Sequence, residues 1–195
     1  MQQYHDAKTQ YPGMLVLFRN GEFYELFEDD AVLAHRVIGL TLTKRDGTIP
    51  MAGVPVVKLE HYLGLLLRAG HRVAVCEQLE DPAEARKRGS KAVVRRDVVR
   101  LVTPGTLTED SLLDAKARNY LTAVCRGAKG AVGTIALASL DISTGEFEVG
   151  EIAAGDFPGE IVRLSPKEVL AADTFLAEGD QGKWIEIAGA ATTPV

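Results

Sequence analysis

Residues 14–27 constrain the fold more than any other stretch. Residues 14–19 form a compact apolar run, Asn20-Gly21 follows, and residues 22–27 are a second run rich in aromatics and leucine. Asn-Gly between two such segments is the strongest short-range hairpin signal, because both central positions of a type I′ turn need positive φ. The pattern predicts strand, tight turn and returning strand. Side chains alternate faces along a strand. Phe23, Glu25 and Phe27 therefore share one face, and Tyr24 and Leu26 the other.

The rest of the first half alternates helices and strands. Glu28, Asp29 and Asp30 put acids at a helix start, where the dipole favours them. Ala31, Leu33, Ala34, Val37 and Ile38 keep helical spacing, and Gly39 ends it. Residues 40–43 and 49–54 are strand-like around a Lys44-Arg45-Asp46-Gly47 turn. Residues 59–69 make a second amphipathic helix ending at Gly70, and residues 72–78 alternate like a strand. Asp81-Pro82 opens a third helical piece, with Asp as cap and Pro in the first turn. Residues 93–102 are strand-like up to the break at Thr103-Pro104-Gly105. After Leu113 the character changes. Residues 114–124 suit either helix or extended chain, residues 134–142 are apolar and β-rich, and Ser143-Thr144-Gly145 turns into a return strand over 146–152. A helix-then-strand pattern follows at 161–164 and 169–172. The expected fold is α/β, with a mixed-sheet domain over 1–113 and an incomplete second α/β domain over 114–195, whose residues 188–195 read as a cut end.

Charge is uneven along the chain. Residues 1–105 hold fifteen Lys/Arg against thirteen Asp/Glu, a net of +2, whereas residues 106–195 hold seven against fourteen, a net of −7. Arg86, Lys87, Arg88, Lys91, Arg95, Arg96 and Arg100 crowd into one segment with only Glu84 and Asp97 to offset them. Such a cluster is either an electrostatic footprint for a polyanion or a solvated loop. Cys76 and Cys125 sit in apolar surroundings, which predicts buried free thiols and a reducing compartment. His5, His35, His61 and His71 lack metal-ligand spacing, so no zinc site is expected. No apolar run is long enough for a bilayer, and the start has no signal-peptide pattern.

Four blocks resemble the MutS family of DNA mismatch-recognition proteins. They are Gly21-Glu22-Phe23-Tyr24-Glu25-Leu26-Phe27, with the family's Phe-X-Glu motif at Phe23 and Glu25; Leu42-Thr43-Lys44-Arg45 followed by Ile49-Pro50-Met51-Ala52-Gly53-Val54-Pro55; Val73-Ala74-Val75-Cys76-Glu77-Gln78-Leu79-Glu80-Asp81-Pro82; and Val98-Val99-Arg100-Leu101-Val102-Thr103-Pro104-Gly105-Thr106. They occur in family order. Leu140-Asp141-Ile142-Ser143-Thr144-Gly145-Glu146-Phe147 then resembles the opening hairpin of the family's RNase H-like connector domain. At Val56-Val57-Lys58 the sequence departs from the family.

The resemblance implies a domain that inserts Phe23 into the minor groove at a mispair, followed by the start of the connector. It implies duplex DNA with mispairs or small loops as ligand, a homodimer and a MutL-like partner in the full-length protein, and a cytoplasmic, nucleoid-associated place of work. The family's ATPase, with its ATP and magnesium, lies further along its chain. No G-x-x-x-x-G-K-[ST] run occurs here; the nearest stretch, residues 179–184, lacks the spacing and the hydroxyl, so no cofactor is expected. Glu25 would accept a hydrogen bond from a displaced base, or, protonated among phosphates, donate one. Lys44, Arg45, Lys58, Arg95, Arg96 and Arg100 are candidates for backbone contacts, with Met51 in the segment beside them. Two other classes compete. Asp141, with Glu146 and Glu148 nearby, could serve a metal-dependent nuclease built on the RNase H-like half, or Asp141 could simply cap its turn. The second domain could also be a docking module alone.

Overall fold

The computed structural model describes residues 1–89, 92–127 and 133–195. Lys91 of the basic cluster lies outside the described residues. The chain divides into two compact units, Met1–Val102 and Thr103–Val195.

The first unit runs α1 (Gln2–Gln10), β1 (Leu15–Asn20), β2 (Phe23–Phe27), α2 (Glu28–Ile38), β3 (Thr43–Arg45), β4 (Ile49–Pro55), a 3-10 turn (Val56–Lys58), α3 (Leu59–Arg68), β5 (Val73–Gln78), α4 (Pro82–Lys87) and β6 (Arg96–Val102). Its sheet has the order β3-β4-β2-β1-β5-β6. Only the β1–β5 pair is parallel. Residues Leu15–Phe18 are buried on both faces of this central strand, which is why they read as a continuous apolar run rather than an alternating one. One parity of side chains, including Val16, Phe18, Phe27, Ala74 and Cys76, packs with Tyr4 and Ala7 of α1. The other parity, Tyr24, Leu26, Ala52, Val54 and Val75, is buried on strands that α2 and α3 contact.

The hairpin forms as the sequence predicts, but its loop sits one residue later. Asn20 pairs with Phe23, so the loop is Gly21-Glu22. Gly21 has φ 58° and Glu22 is not in the positive region, the requirement of a type II′ turn rather than I′. Two strand edges also shift. Leu40–Leu42 stay irregular while Lys44 and Arg45 are strand residues, and the turn falls on Asp46 and Gly47, at φ 51° and 73°. β6 starts only at Arg96 because the Arg95 amide is held by Glu80. Helix α1 was not legible: nine residues with only Tyr4 and Ala7 buried give no apolar stripe. What fixes it is Tyr4, whose hydroxyl donates to the Phe27 carbonyl at 3.0 Å and to Asp30 at 2.8 Å. Asp30 is buried and also takes the Val16 amide at 2.9 Å and Lys8 at 2.7 Å.

The second unit contains a 3-10 turn (Pro104–Thr106), β7 (Tyr120–Arg126), β8 (Thr134–Asp141), β9 (Glu146–Ala153), α5 (Phe157–Leu164), β10 (Glu168–Ala171), α6 (Asp173–Ala177), α7 (Gln181–Ile187) and β11 (Ala191–Pro194). The sheet order is β11-β10-β7-β8-β9. β7, β8 and β9 form an antiparallel meander, while β10 and β11 run parallel to β7 and to each other, the mixed order of an RNase H-like sheet. Val124, Ile135, Leu137 and Val169 pack against Phe157 and Ile161 of α5, Phe175 of α6 and Ile185 of α7. Within residues 188–195, which read as a cut end, Ala191–Pro194 forms a strand that pairs parallel with β10 at the edge of the five-stranded sheet. Of residues 114–124, Tyr120 onward is strand. Cys125 is exposed, against expectation: it alternates with buried Val124 and falls on the outer face, while Cys76 is buried as predicted. No helix among the described residues is long and apolar enough to cross a membrane.

Candidate nucleic-acid interface

Strand β2 is covered at one end and open at the other. Phe27 has no exposed surface and meets Tyr4 edge-on at 5.1 Å. Phe23, four residues earlier on the same face, is 47% exposed. Its ring lies over Gly53, where an added Cβ would sit 3.6 Å from the Phe23 ring. Gly53 is the cross-strand partner of Glu25, so the missing side chain leaves room for both residues on that face. Glu25 is part-exposed, and Asn20 Nδ2 donates to its Oε2 at 3.0 Å.

Arginines stand around this pair. Arg96 stacks over Phe18 at 5.0 Å, donates from Nε to the Arg19 carbonyl at 2.6 Å, and reaches Asn20 Oδ1 at 3.4 Å. Burial holds its guanidinium below the ordinary value, and Glu25 is among the charges that oppose this. Arg45 lies over Phe27 at 5.3 Å. Phe18, Asn20, Arg45 and Arg96 line a groove of about 410 Å³. Met51 pairs with Phe27 and packs at the edge of the α1-side cluster. Phe23, Glu25, Arg45, Met51 and Arg96 are thus brought to one face of the sheet.

The other predicted residues are not. Lys44 alternates with Arg45 and points to the opposite face, opposite Pro50. Arg100 pairs with Glu60 of α3 at 3.1 Å. Lys58 is exposed at the end of the 3-10 turn, three residues past Pro55, the partner of Phe23. Arg95 is exposed, with its amide donating to Glu80 at 2.7 Å and its Nε 3.5 Å from that carboxylate. Arg88 also grips Glu80, with Nη2 at 2.6 Å, and Lys87 pairs with Glu84 at 2.5 Å. The Arg88 hydrogen bonds, then the Arg95 amide, hold the Glu80 carboxyl at about 2. Much of the basic cluster is therefore already matched by acids within the unit. Sequence reasoning did not single out Asn20 as the partner of Glu25, because it was assigned to the turn and the contact forms only once the hairpin is paired.

In the second unit Asp141 is buried and spent on its turn. Oδ1 accepts from Ser143 N at 3.0 Å and Ser143 Oγ at 2.6 Å, and Oδ2 from Asn119 N at 2.9 Å. Burial pushes its carboxyl up, and these hydrogen bonds outweigh that and leave it below its ordinary value. Glu146 is paired by Arg118 at 2.8 and 2.9 Å. Among the described residues no group of three His, Cys, Asp or Glu could hold a metal ion.

Two mixed α/β units, the first presenting an exposed aromatic and a carboxylate on one face of its sheet, define a modular protein. The family model described as MutS domain I matches residues 1–111, and that described as MutS domain II matches residues 119–188. The chain belongs to the MutS family. It is 55% identical over 187 residues to the DNA mismatch repair protein MutS of Nitrobacter winogradskyi, covering 93% of this chain and 21% of that protein. The Nitrobacter hamburgensis protein of the same name is 54% identical over 185 residues, 92% and 20% of the two chains. That of Rhizobium meliloti is 49% identical over 198 residues, 100% and 22%. The chain spans about a fifth of the length of the curated relatives it matches.

Proposed function

We propose that this chain recognises mismatched or unpaired bases in duplex DNA, with Phe23 as a wedge stacked in the minor groove and Glu25 beside it. The observation that carries the reading is the contrast along β2: Phe27 is wholly covered, while Phe23 on the same face is 47% exposed next to a carboxylate.

An apolar wedge in the minor groove unstacks a base step and kinks the duplex. Unstacking costs a few kcal/mol, least where pairing is already faulty. Stacking of an aromatic on a base returns roughly 1–3 kcal/mol. The balance is close to zero or unfavourable at a matched step and favourable at a mispair. One ring can therefore sense many kinds of weak pairing without reading sequence, through deformability alone. Glu25 opposes approach to phosphates unless a displaced base offers it a hydrogen bond, so it penalises intact duplex. Asn20 already occupies one Glu25 oxygen, which leaves the other free for a base. Arg45 and Arg96 share the sheet face of Phe23, where they would contact backbone phosphates and fix position rather than sequence.

The relatives' name and the resemblance extend the proposal to a longer protein that works in DNA mismatch repair as a homodimer with a MutL-like partner. ATP and magnesium would act in that longer protein. No G-x-x-x-x-G-K-[ST] run occurs in this sequence, and no step of recognition is routed through them.

The test is Phe23→Ala in the full-length protein, with affinities for mispaired and matched duplex measured at one salt concentration. Preference for the mispair should disappear. Preference equal to that of the unmodified protein would place the wedge elsewhere.

A further inference from the structure

The tip of the first hairpin is fastened to a strand outside the hairpin. Its loop residues Gly21 and Glu22 make three hydrogen bonds. The Gly21 amide donates to Gln78 Oε1 at 2.8 Å, the Gly21 carbonyl accepts from Arg19 Nε at 2.5 Å, and the Glu22 carbonyl accepts from the Val56 amide at 3.0 Å. Gln78 is the last residue of β5, the parallel neighbour of β1, and lies opposite Arg96 of β6. Only its amide oxygen can serve an N–H donor, so the contact fixes the orientation of the side-chain amide. Tyr24, whose side chain points away from the Phe23 face, is held too: its hydroxyl donates to Glu77, and Arg19 lies 5.4 Å over its ring.

These ties differ in kind. Arg19 belongs to the hairpin itself, and Val56 contributes through its main chain, so the departure from the family at Val56-Val57-Lys58 leaves that contact independent of side chain. Gln78 is the side chain that reaches the tip from another strand. It ends two residues from Phe23.

We propose that Gln78 is a positioning residue for Phe23, its Oε1 holding the Gly21 amide so that the hairpin presents the ring at a fixed height and direction. This rests on the wedge reading of Phe23. Freedom that a binding element loses on association subtracts from affinity, and ordering it beforehand removes that loss. A matched duplex does not admit the ring, so the lock strengthens the mispaired complex and leaves the matched one unaffected. One neutral hydrogen bond corresponds to roughly a three- to tenfold change in an equilibrium.

The experiment uses Gln78→Met, which keeps the length of the side chain and removes the acceptor, and Gln78→Glu, which keeps the acceptor. Amide exchange is followed by NMR in this chain, and duplex affinities are measured in the full-length protein beside Phe23→Ala. Gln78→Met should speed exchange of the Gly21 amide roughly three- to tenfold while the Leu17 and Val75 amides of the strand cores keep their protection. It should lower the mispaired-to-matched affinity ratio by a similar factor, with matched affinity and salt slope unchanged. Gln78→Glu should restore both. Unchanged Gly21 exchange in Gln78→Met overturns the lock. Faster exchange with an undiminished ratio overturns its role in recognition. If Phe23→Ala removes the preference and Gln78→Met does not, only this proposal falls; if Phe23→Ala retains it, the wedge reading falls as well.

Discussion

Two phenylalanines on one face of one strand should respond to truncation in opposite ways. Phe27 has no exposed surface, touches Tyr4 and Phe18 edge-on at 5.1 and 6.4 Å, and lies under the Arg45 guanidinium. Phe27→Ala removes a fully buried ring and leaves a cavity, which costs about 3–5 kcal/mol. Against a total stability of about 5–15 kcal/mol for a domain, that is a large fraction. At roughly 4–8 °C per kcal/mol for a domain near 100 residues, the midpoint of the first unit should fall by more than about 12 °C. Phe23 already shows 47% of its surface to solvent. Truncating it forfeits about half of the roughly 1.5–3 kcal/mol that full burial supplies, with no enclosed cavity, so about 1 kcal/mol is expected. Urea unfolding of this chain, followed by circular dichroism, gives both midpoints and the slope, while the single tryptophan, Trp184 of the second unit, reads that unit separately. The slope should be unchanged for Phe23→Ala. A loss near 3 kcal/mol or more for Phe23→Ala would make Phe23 a core residue and refute the argument that β2 opens toward its own start.

Neutralising Arg45 should weaken binding of the full-length protein to matched and mispaired duplex alike and reduce the salt slope by about one unit, whereas Lys44→Gln, on the opposite face, should leave the slope unchanged. Glu25→Gln should raise affinity for matched duplex more than for mispaired duplex in filter-binding at fixed salt; equal losses on both would make Glu25 a partner within the domain. Gly105→Ala should destabilise the second unit by about 1–3 kcal/mol in thermal unfolding, because its Cβ would sit 2.8 Å from the Glu168 Cβ and 3.0 Å from the Leu121 side chain. Glu80 has a folded-state carboxyl at about 2 against an ordinary 4.5, so its tether to Arg88 and Arg95 is fully present above about 4.5 and is lost as pH falls toward about 2. Carbon NMR of the Glu80 carboxyl should show a midpoint well below 4.5, and a midpoint at 4.5 would mean that the tether is absent in solution.

What the sequence made legible was local. The first hairpin announces itself through a glycine at a positive-φ position between apolar runs, α2 through its acids and Gly39, and the second meander through the apolar, β-rich residues 134–142 and the Ser143-Thr144-Gly145 turn. The face shared by Phe23 and Glu25 followed from strand period alone. The rest depends on contacts far apart in the chain. β11 is four residues long and gains its place only by parallel pairing with β10. The basic cluster looked free because its partners, Glu60 and Glu80, either lie far off in sequence or precede the segment. Cys125 was misread because apolar neighbours along a strand occupy alternate faces. Lys44 and Arg45, adjacent in sequence, were taken as a pair in a turn, and the strand separates them.

The element hardest to see in the sequence decides how much of strand β2 is open. Strand β2 has a single apolar parity on the α1 side, and nothing in its own residues says which end is covered. Helix α1 settles that. It is short, and its only buried side chains are Tyr4 and Ala7. Tyr4 closes over Phe18 and Phe27 and is tied down at the Phe27 carbonyl and Asp30. A longer apolar stripe on α1 would continue along β2 and bury Phe23 and Glu25, at the desolvation cost of a carboxylate with one hydrogen bond. A weaker one would leave Phe27 uncovered and the sheet without a core on that side. The polar character that hid the helix from a reading of periodicity is therefore the same property that keeps one aromatic in the core and leaves the other exposed.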